Sequence, residues 1–166
     1  PGTFSWALAE AGGKGLHVDA YDVDPVMAER TAAVNREAGL AGTVACRDYL
    51  LEEGLAGRYD LVIMNPPYLS GIESAQPRKV LAAAIRRITG RPSLLNTGQP
   101  PLESVSLELA WNLVPDGAVI AAVFPAQHLV RRGAEAQELR SFLARDLALT
   151  HIVQYPMEGL FDDVIK

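Results

Sequence analysis

Cysteine is almost missing from this chain: Cys46 is the single one in 166 residues. A lone thiol forms neither an intramolecular disulfide nor a cysteine-ligated zinc site, and no metal centre is expected. The fold must then rest on its own core, which a domain of this length can bury. Long apolar runs are also missing. None approaches the roughly 18 residues that a membrane span needs. The opening PGTFSWALAEAGGKG lacks the basic start and cleavage pattern of a secretory signal, and the scarcity of cysteine suits a reducing, cytoplasmic setting. Positive charge is short overall. Fifteen Lys and Arg stand against twenty Asp and Glu, for a net charge of −5, where whole-surface nucleic-acid binders are usually basic. The histidines His17, His128 and His151 are scattered with no carboxylate in evident register, and read as structural or surface residues.

What is present is a soluble globular balance, 49% apolar and 21% charged. TFSWALAEA reads as a helix stopped by Gly12 and Gly13. LHVDAYDVD is a strand over Leu16 to Val23. Asp24 caps the next helix and Pro25 takes its first position, where a missing N–H costs nothing; this helix runs to about Ala38. GTVACRD and YDLVIM are further strands, the second with the unbroken apolar run of a strand covered on both faces. Residues 69–101 form a long, irregular insert facing the substrate, with a helix over Lys79 to Ile88. Leu102, Val105, Leu109 and Leu113 mark an amphipathic helix. AVIAAVF is a strand, Ala134 to Asp146 a helix, and LTHIVQY a last strand. Strands alternating with helices predict a doubly wound, mostly parallel α/β sheet, with residues 1–166 as a single domain.

Ligands of such sheets bind at the carboxyl ends of the strands. Asp22 stands there to take two ribose hydroxyls, since Asp24 is used as a helix cap; the alternative is that both aspartates cap. Asp48 ends the third strand as an acceptor for an adenine amine. Val23 and Tyr49, each beside one of these acids, are placed to sandwich an adenine ring, though any of the four could equally be a core or surface residue.

The most informative stretch is YDLVIMNPPY. Pro66 and Pro67 cannot continue a ladder, and each restricts the residue before it, so the chain is stiff where the strand ends. The Asn65 side-chain oxygen and the Pro66 carbonyl can converge on one exocyclic amine. Such an amine is a poor nucleophile because its lone pair is delocalised; accepting both its hydrogens returns the lone pair for attack. Tyr68 adds a flat surface on which a base can stack. The alternative is an ordinary turn. Just beyond lies PRKVLAAAIRRITGR, with Arg78, Lys79, Arg86, Arg87 and Arg91 and no acid. Arg131 and Arg132 form a smaller cluster. The plain reading of these runs is a solvated helix face; the position after NPPY raises phosphate binding beside it.

NPPY after an apolar strand resembles the catalytic motif of S-adenosylmethionine-dependent amino-methyltransferases. DAYDVDP is similar to their ribose-binding strand end and CRDYL to their adenine-binding acid. PGTF resembles the tail of their glycine-rich loop, of which Gly2 and Phe4 survive. VFPAQHLV and IVQYPMEGLFDDVIK resemble later motifs of N6-adenine DNA methyltransferases, above all type I modification subunits and type IIG enzymes. The resemblance implies a Rossmann-like fold and S-adenosylmethionine as cofactor, held by Gly2, Phe4, Asp22, Val23, Asp48 and Tyr49. It implies Asn65, Pro66, Pro67 and Tyr68 as catalytic residues. Double-stranded DNA would be the substrate, touched by Tyr68, Phe161, Arg78, Lys79, Arg86 and Arg87, with Phe161 equally readable as a packing residue. The target base would leave the helical stack, at a cost of about a few kcal/mol. A specificity subunit or fused recognition domain would be a further partner, and restriction-modification or a related defence system the setting.

Against this family pattern, the chain starts inside the glycine-rich loop. A missing first strand, a fragment of a longer protein and low stability of the isolated chain are therefore expected. Competing readings are a release-factor glutamine methyltransferase or a ribosomal RNA guanine-N2 methyltransferase. From other classes come an NAD-dependent dehydrogenase and a non-catalytic binding module.

Overall fold

The second and third helices begin or end where their local chemistry dictates. The computed structural model describes residues 2–12, 15–69 and 72–154. Its helices are α1 (Thr3–Glu10), α2 (Pro25–Glu37), α3 (Ala75–Thr89), α4 (Leu102–Leu113), α5 (Gln127–Val130) and α6 (Ala134–Arg145). The strands are β1 (Ala20–Asp22), β2 (Val44–Cys46), β3 (Leu61–Met64) and β4 (Val119–Ala122). The Asp24 carboxylate accepts the Val26 N–H at 2.8 Å with Pro25 opening α2, so the expected cap is the one formed. α3 ends at Gly90, whose φ of 71° is left-handed.

The chain divides into two compact units, residues 1–63 with 113–119 and residues 64–112 with 120–166. In the first unit β1 pairs in parallel with β2, with Asp22 opposite Cys46. The expected strand over Leu16 to Val23 is shorter than its apolar pattern suggests, because the ladder is interrupted after an isolated bridge between His17 and Ala41. The cause is a close approach between the two chain segments. Gly42 has a φ of 126°, and a Cβ there would lie 2.2 Å from the Val18 carbonyl oxygen, so only glycine fits the approach. The next N–H, of Thr43, bonds the Asp19 side chain at 3.1 Å.

β3 and β4 form a second two-stranded pair. The Val119 N–H donates to the Asp60 carbonyl and the Val123 N–H to the Met64 carbonyl, at 2.9 and 3.0 Å. Both partners advance by the same step, so this pair is parallel too.

The second unit is built round Leu95, Leu107, Leu139 and Phe142, with Met64, Trp111, Ile120, Phe124, Leu143 and Leu147 packed against them. Trp111 meets Phe142 edge-on, with ring centroids 5.2 Å apart. α4 departs from expectation. Leu102, Val105, Leu109 and Leu113 are buried, but so are Glu103, Ser104, Ser106, Leu107, Glu108 and Ala110. The helix is enclosed on every side rather than amphipathic. α3 starts earlier than expected, at Ala75, and α5 and a short 3-10 turn over Tyr49–Leu51 were not anticipated. No strand forms over residues 149–154, where the last one was expected.

Candidate active site

The Asn-Pro-Pro-Tyr segment leaves β3 as the sequence requires. Pro66 is buried, while Asn65, Pro67 and Tyr68 are exposed. The Tyr68 hydroxyl donates to the Asn65 amide oxygen at 2.6 Å and also lies 3.1 Å from the Val123 carbonyl oxygen. A phenol has one hydrogen to give, so it divides between these two acceptors. Burial of the hydroxyl and the negative charge of Glu103 both raise the Tyr68 phenol above its ordinary value. It therefore stays a neutral donor, on a residue that is 48% exposed. The next residue, Leu69, is anchored through its carbonyl to the Leu102 N–H at the start of α4, at 3.0 Å.

The cofactor candidates all lie in the first unit. Because β1 and β2 are parallel and in register, their carboxyl ends emerge together. The Cys46 thiol reaches the Val23 carbonyl at 3.7 Å. The Asp22 Oδ1 accepts the Asp24 N–H at 2.9 Å, and the Asp48 Oδ1 accepts the Leu50 N–H at 3.0 Å. Each acid is thus fixed by one oxygen, and the other has no protein partner among the described residues. Val23 is 70% and Tyr49 38% exposed, so apolar surface stands beside both acids. Gly2 has a φ of 75°, and a Cβ there would sit 2.9 Å from Val34 Cβ, which reserves the position for glycine. Phe4, in the first turn of α1, is exposed.

The basic helix is only partly the expected face. Lys79, Arg86 and Arg87 are exposed, but Arg78 is buried. Its guanidinium donates to the carbonyls of Ser74 and Gly98, each at 3.4 Å, and it shares a stripe with Leu81 and Ile85. Arg78 is therefore a structural cation, withdrawn from the solvent face on which phosphate contact was expected. Arg91 lies over the Trp111 ring at 5.7 Å. Phe161 lies outside the described residues.

Several acids went unnoticed in the sequence. Asp19, with its side chain 1% exposed, gathers Arg58 at 3.0 Å and His17 at 3.3 Å, together with the Tyr59 hydroxyl at 3.3 Å. The Tyr59 phenol is pushed well above its ordinary value, first by burial and then by its bond to Tyr21. Glu108 accepts from the Ser93 hydroxyl and from the N–H groups of Leu94 and Leu95, pinning that loop to α4. Glu103 meets His128 at 2.6 Å, both buried. The expectation that the histidines lack carboxylate partners is thus corrected for His17 and His128. The missed signal was in α4 itself: two glutamates among leucines and serines on a helix with no polar face. No cluster of three or more His, Cys, Asp or Glu able to hold a metal occurs among the described residues. Nor is any described helix long and apolar enough to cross a membrane.

Short parallel strands with acids at the ends of β1 and β2 and Asn-Pro-Pro-Tyr after β3 are features of the methyltransferase class of α/β domains. Residues 23–161 match the Eco57I restriction-modification methylase family. The chain belongs to that family. Among solved structures it is similar to the type IIG restriction endonuclease BpuSI, with a TM-score of 0.69 and 30% identity over 82% of this chain. The chain spans 17% of that protein's length. A comparison with curated proteins gave no significant match.

Proposed function

We propose that the full protein transfers a methyl group from S-adenosylmethionine to the N6 amine of adenine in double-stranded DNA, in the cytoplasm, within a restriction-modification or related defence system. A specificity subunit or fused recognition domain would select the sequence. The observation that carries this reading is the Asn65 amide oxygen, exposed at the end of β3 and paired with the Tyr68 hydroxyl at 2.6 Å.

The strand ends of the first unit fit the cofactor. Each of Asp22 and Asp48 keeps one oxygen without a partner among the described residues, for the ribose hydroxyls and the adenine amine. Val23 and Tyr49 offer exposed apolar surface to the ring, and Gly2 and Phe4, at the start of α1, would lie at the methionine end. When bound, S-adenosylmethionine supplies a sulfonium methyl whose C–S pair stays with sulfur as the amine lone pair forms the new C–N bond. Asn65 accepts from the incoming NH2, with the Pro66 carbonyl as second acceptor. The Tyr68 O–H then donates to the Val123 carbonyl alone, and the Tyr68 ring stacks on the base, an interaction worth about 1–3 kcal/mol. The surplus amine proton leaves to water.

The test incubates the full-length protein with methyl-labelled S-adenosylmethionine and unmethylated DNA, followed by nucleoside chromatography. Label in N6-methyladenine supports the reading. In parallel incubations with release factor and with ribosomal RNA, label in glutamine or guanine there, with none in DNA, overturns it. Asn65→Ala should lower kcat by about 10²-fold or more, the usual effect of losing one polarising hydrogen-bond partner.

A further inference from the structure

Glu103 is an expensive residue to bury. Its side chain is 4% exposed, its Oε1 meets His128 Nε2 at 2.6 Å, and its Oε2 has no hydrogen-bond partner among the described residues. A buried carboxylate with an unsatisfied oxygen destabilises a fold, and an apolar side chain of similar volume would serve packing better. Its placement calls for another reason, and the surrounding contacts supply one.

Glu103 stands in the first turn of α4, next to Leu102, whose N–H holds the Leu69 carbonyl at 3.0 Å directly after Tyr68. His128 lies on α5, just beyond β4. Its ring meets Phe124 edge-on with centroids 5.9 Å apart, and its carbonyl accepts from Arg140 at 3.1 Å. Val123, before Phe124, offers its carbonyl to the Tyr68 hydroxyl at 3.1 Å. The Glu103–His128 bond therefore joins the segment after β3 to the segment after β4. Those two segments carry the two acceptors between which the Tyr68 hydrogen is shared.

We propose that Glu103 is a positioning residue: through its bond to His128 it fixes the Val123 carbonyl relative to Asn65, and so sets where the Tyr68 hydroxyl and the target amine sit. The claim deepens the amine-methylation reading and rests on it. With its hydrogen on Nε2, the imidazole can donate to a carboxylate or to an amide oxygen at position 103, so reach decides whether the link forms. A misplacement of about 1 Å at a reacting centre can cost on the order of 10²-fold in rate, so loss of the link should be visible in turnover.

The experiment uses the full-length protein. Glu103→Asp keeps the charge and loses the reach; Glu103→Gln keeps the reach and loses the charge. Glu103→Asp should lower kcat tenfold or more with KM for S-adenosylmethionine within twofold of wild type, and Glu103→Gln should stay within threefold in kcat. Ser104→Ala, a change to the unpartnered buried hydroxyl on the same turn, should leave kcat unchanged. With 3-fluorotyrosine placed at position 68, the fluorine resonance should move more in Glu103→Asp than in Glu103→Gln. Should a Glu103 variant not fold, His128→Asn (short) against His128→Gln (long) gives the same split from the other side. Activity of the short variants within twofold of wild type, or equal loss in short and long variants, overturns the proposal. If the wild type transfers no methyl group, the function reading fails, and the fluorine resonance alone judges the positioning: no difference between short and long variants overturns it.

Discussion

At the scale of single residues, two aspartates two positions apart do different jobs. Asp24 spends its carboxylate on the Val26 N–H as a helix cap. Asp22 ends β1 with one oxygen on the Asp24 N–H and the other without a protein partner among the described residues. Hydrogen bonds to a charged group contribute about 1.5–3 kcal/mol, so Asp22→Ala should weaken S-adenosylmethionine binding by roughly 10- to 150-fold in calorimetry. Asp24→Ala should instead cost about 1 kcal/mol of stability, as loss of a cap usually does, with affinity little changed. Equal effects on binding would show that the ribose acid has been misassigned. Arg78 gives the opposite lesson: a cation in a basic run, yet turned to the interior by its place on the helix.

At the scale of elements, α4 and α6 hold the second unit together. Phe142 is 1% exposed, in a cluster with Leu95, Leu107 and Leu139, and its ring takes the edge of Trp111. Phe142→Ala should destabilise the protein by about 3–5 kcal/mol in urea unfolding, from lost transfer energy plus the cavity left behind. A loss below 1 kcal/mol would mean that the site collapses on itself. α2 and α4 were readable because their signals are local: Asp24–Pro25 before α2, Gly39 after it, and the three- and four-residue spacing of Leu102, Val105 and Leu109. The short strand β1 was not, because its interruption depends on the contact of Gly42 with Val18, which comes from distant sequence.

At the scale of the whole molecule, charge is divided unevenly. The chain carries −5 overall, while α3 holds a run of cations with no acid between them. Counterion release gives each phosphate contact about 0.9 in the slope of log affinity against log salt. Lys79→Glu, Arg86→Glu and Arg87→Glu together should therefore weaken DNA binding and flatten that slope by roughly 2–3. An unchanged slope, measured by fluorescence anisotropy from low to moderate salt, would make these residues a plain solvated face.

The sequence by itself determined the stiff end of β3, the caps of α2 and the parallel α/β class, because proline geometry, capping and hydrophobic period act within a few residues. Tertiary structure alone decided which polar groups are buried and with whom. Asp19 found Arg58 and Tyr59, Glu108 found the 93–95 loop, and Glu103 found His128 across 25 positions. Such partners are chosen by how elements pack, and a carboxylate in a sequence carries no mark of whether water or a histidine will face it.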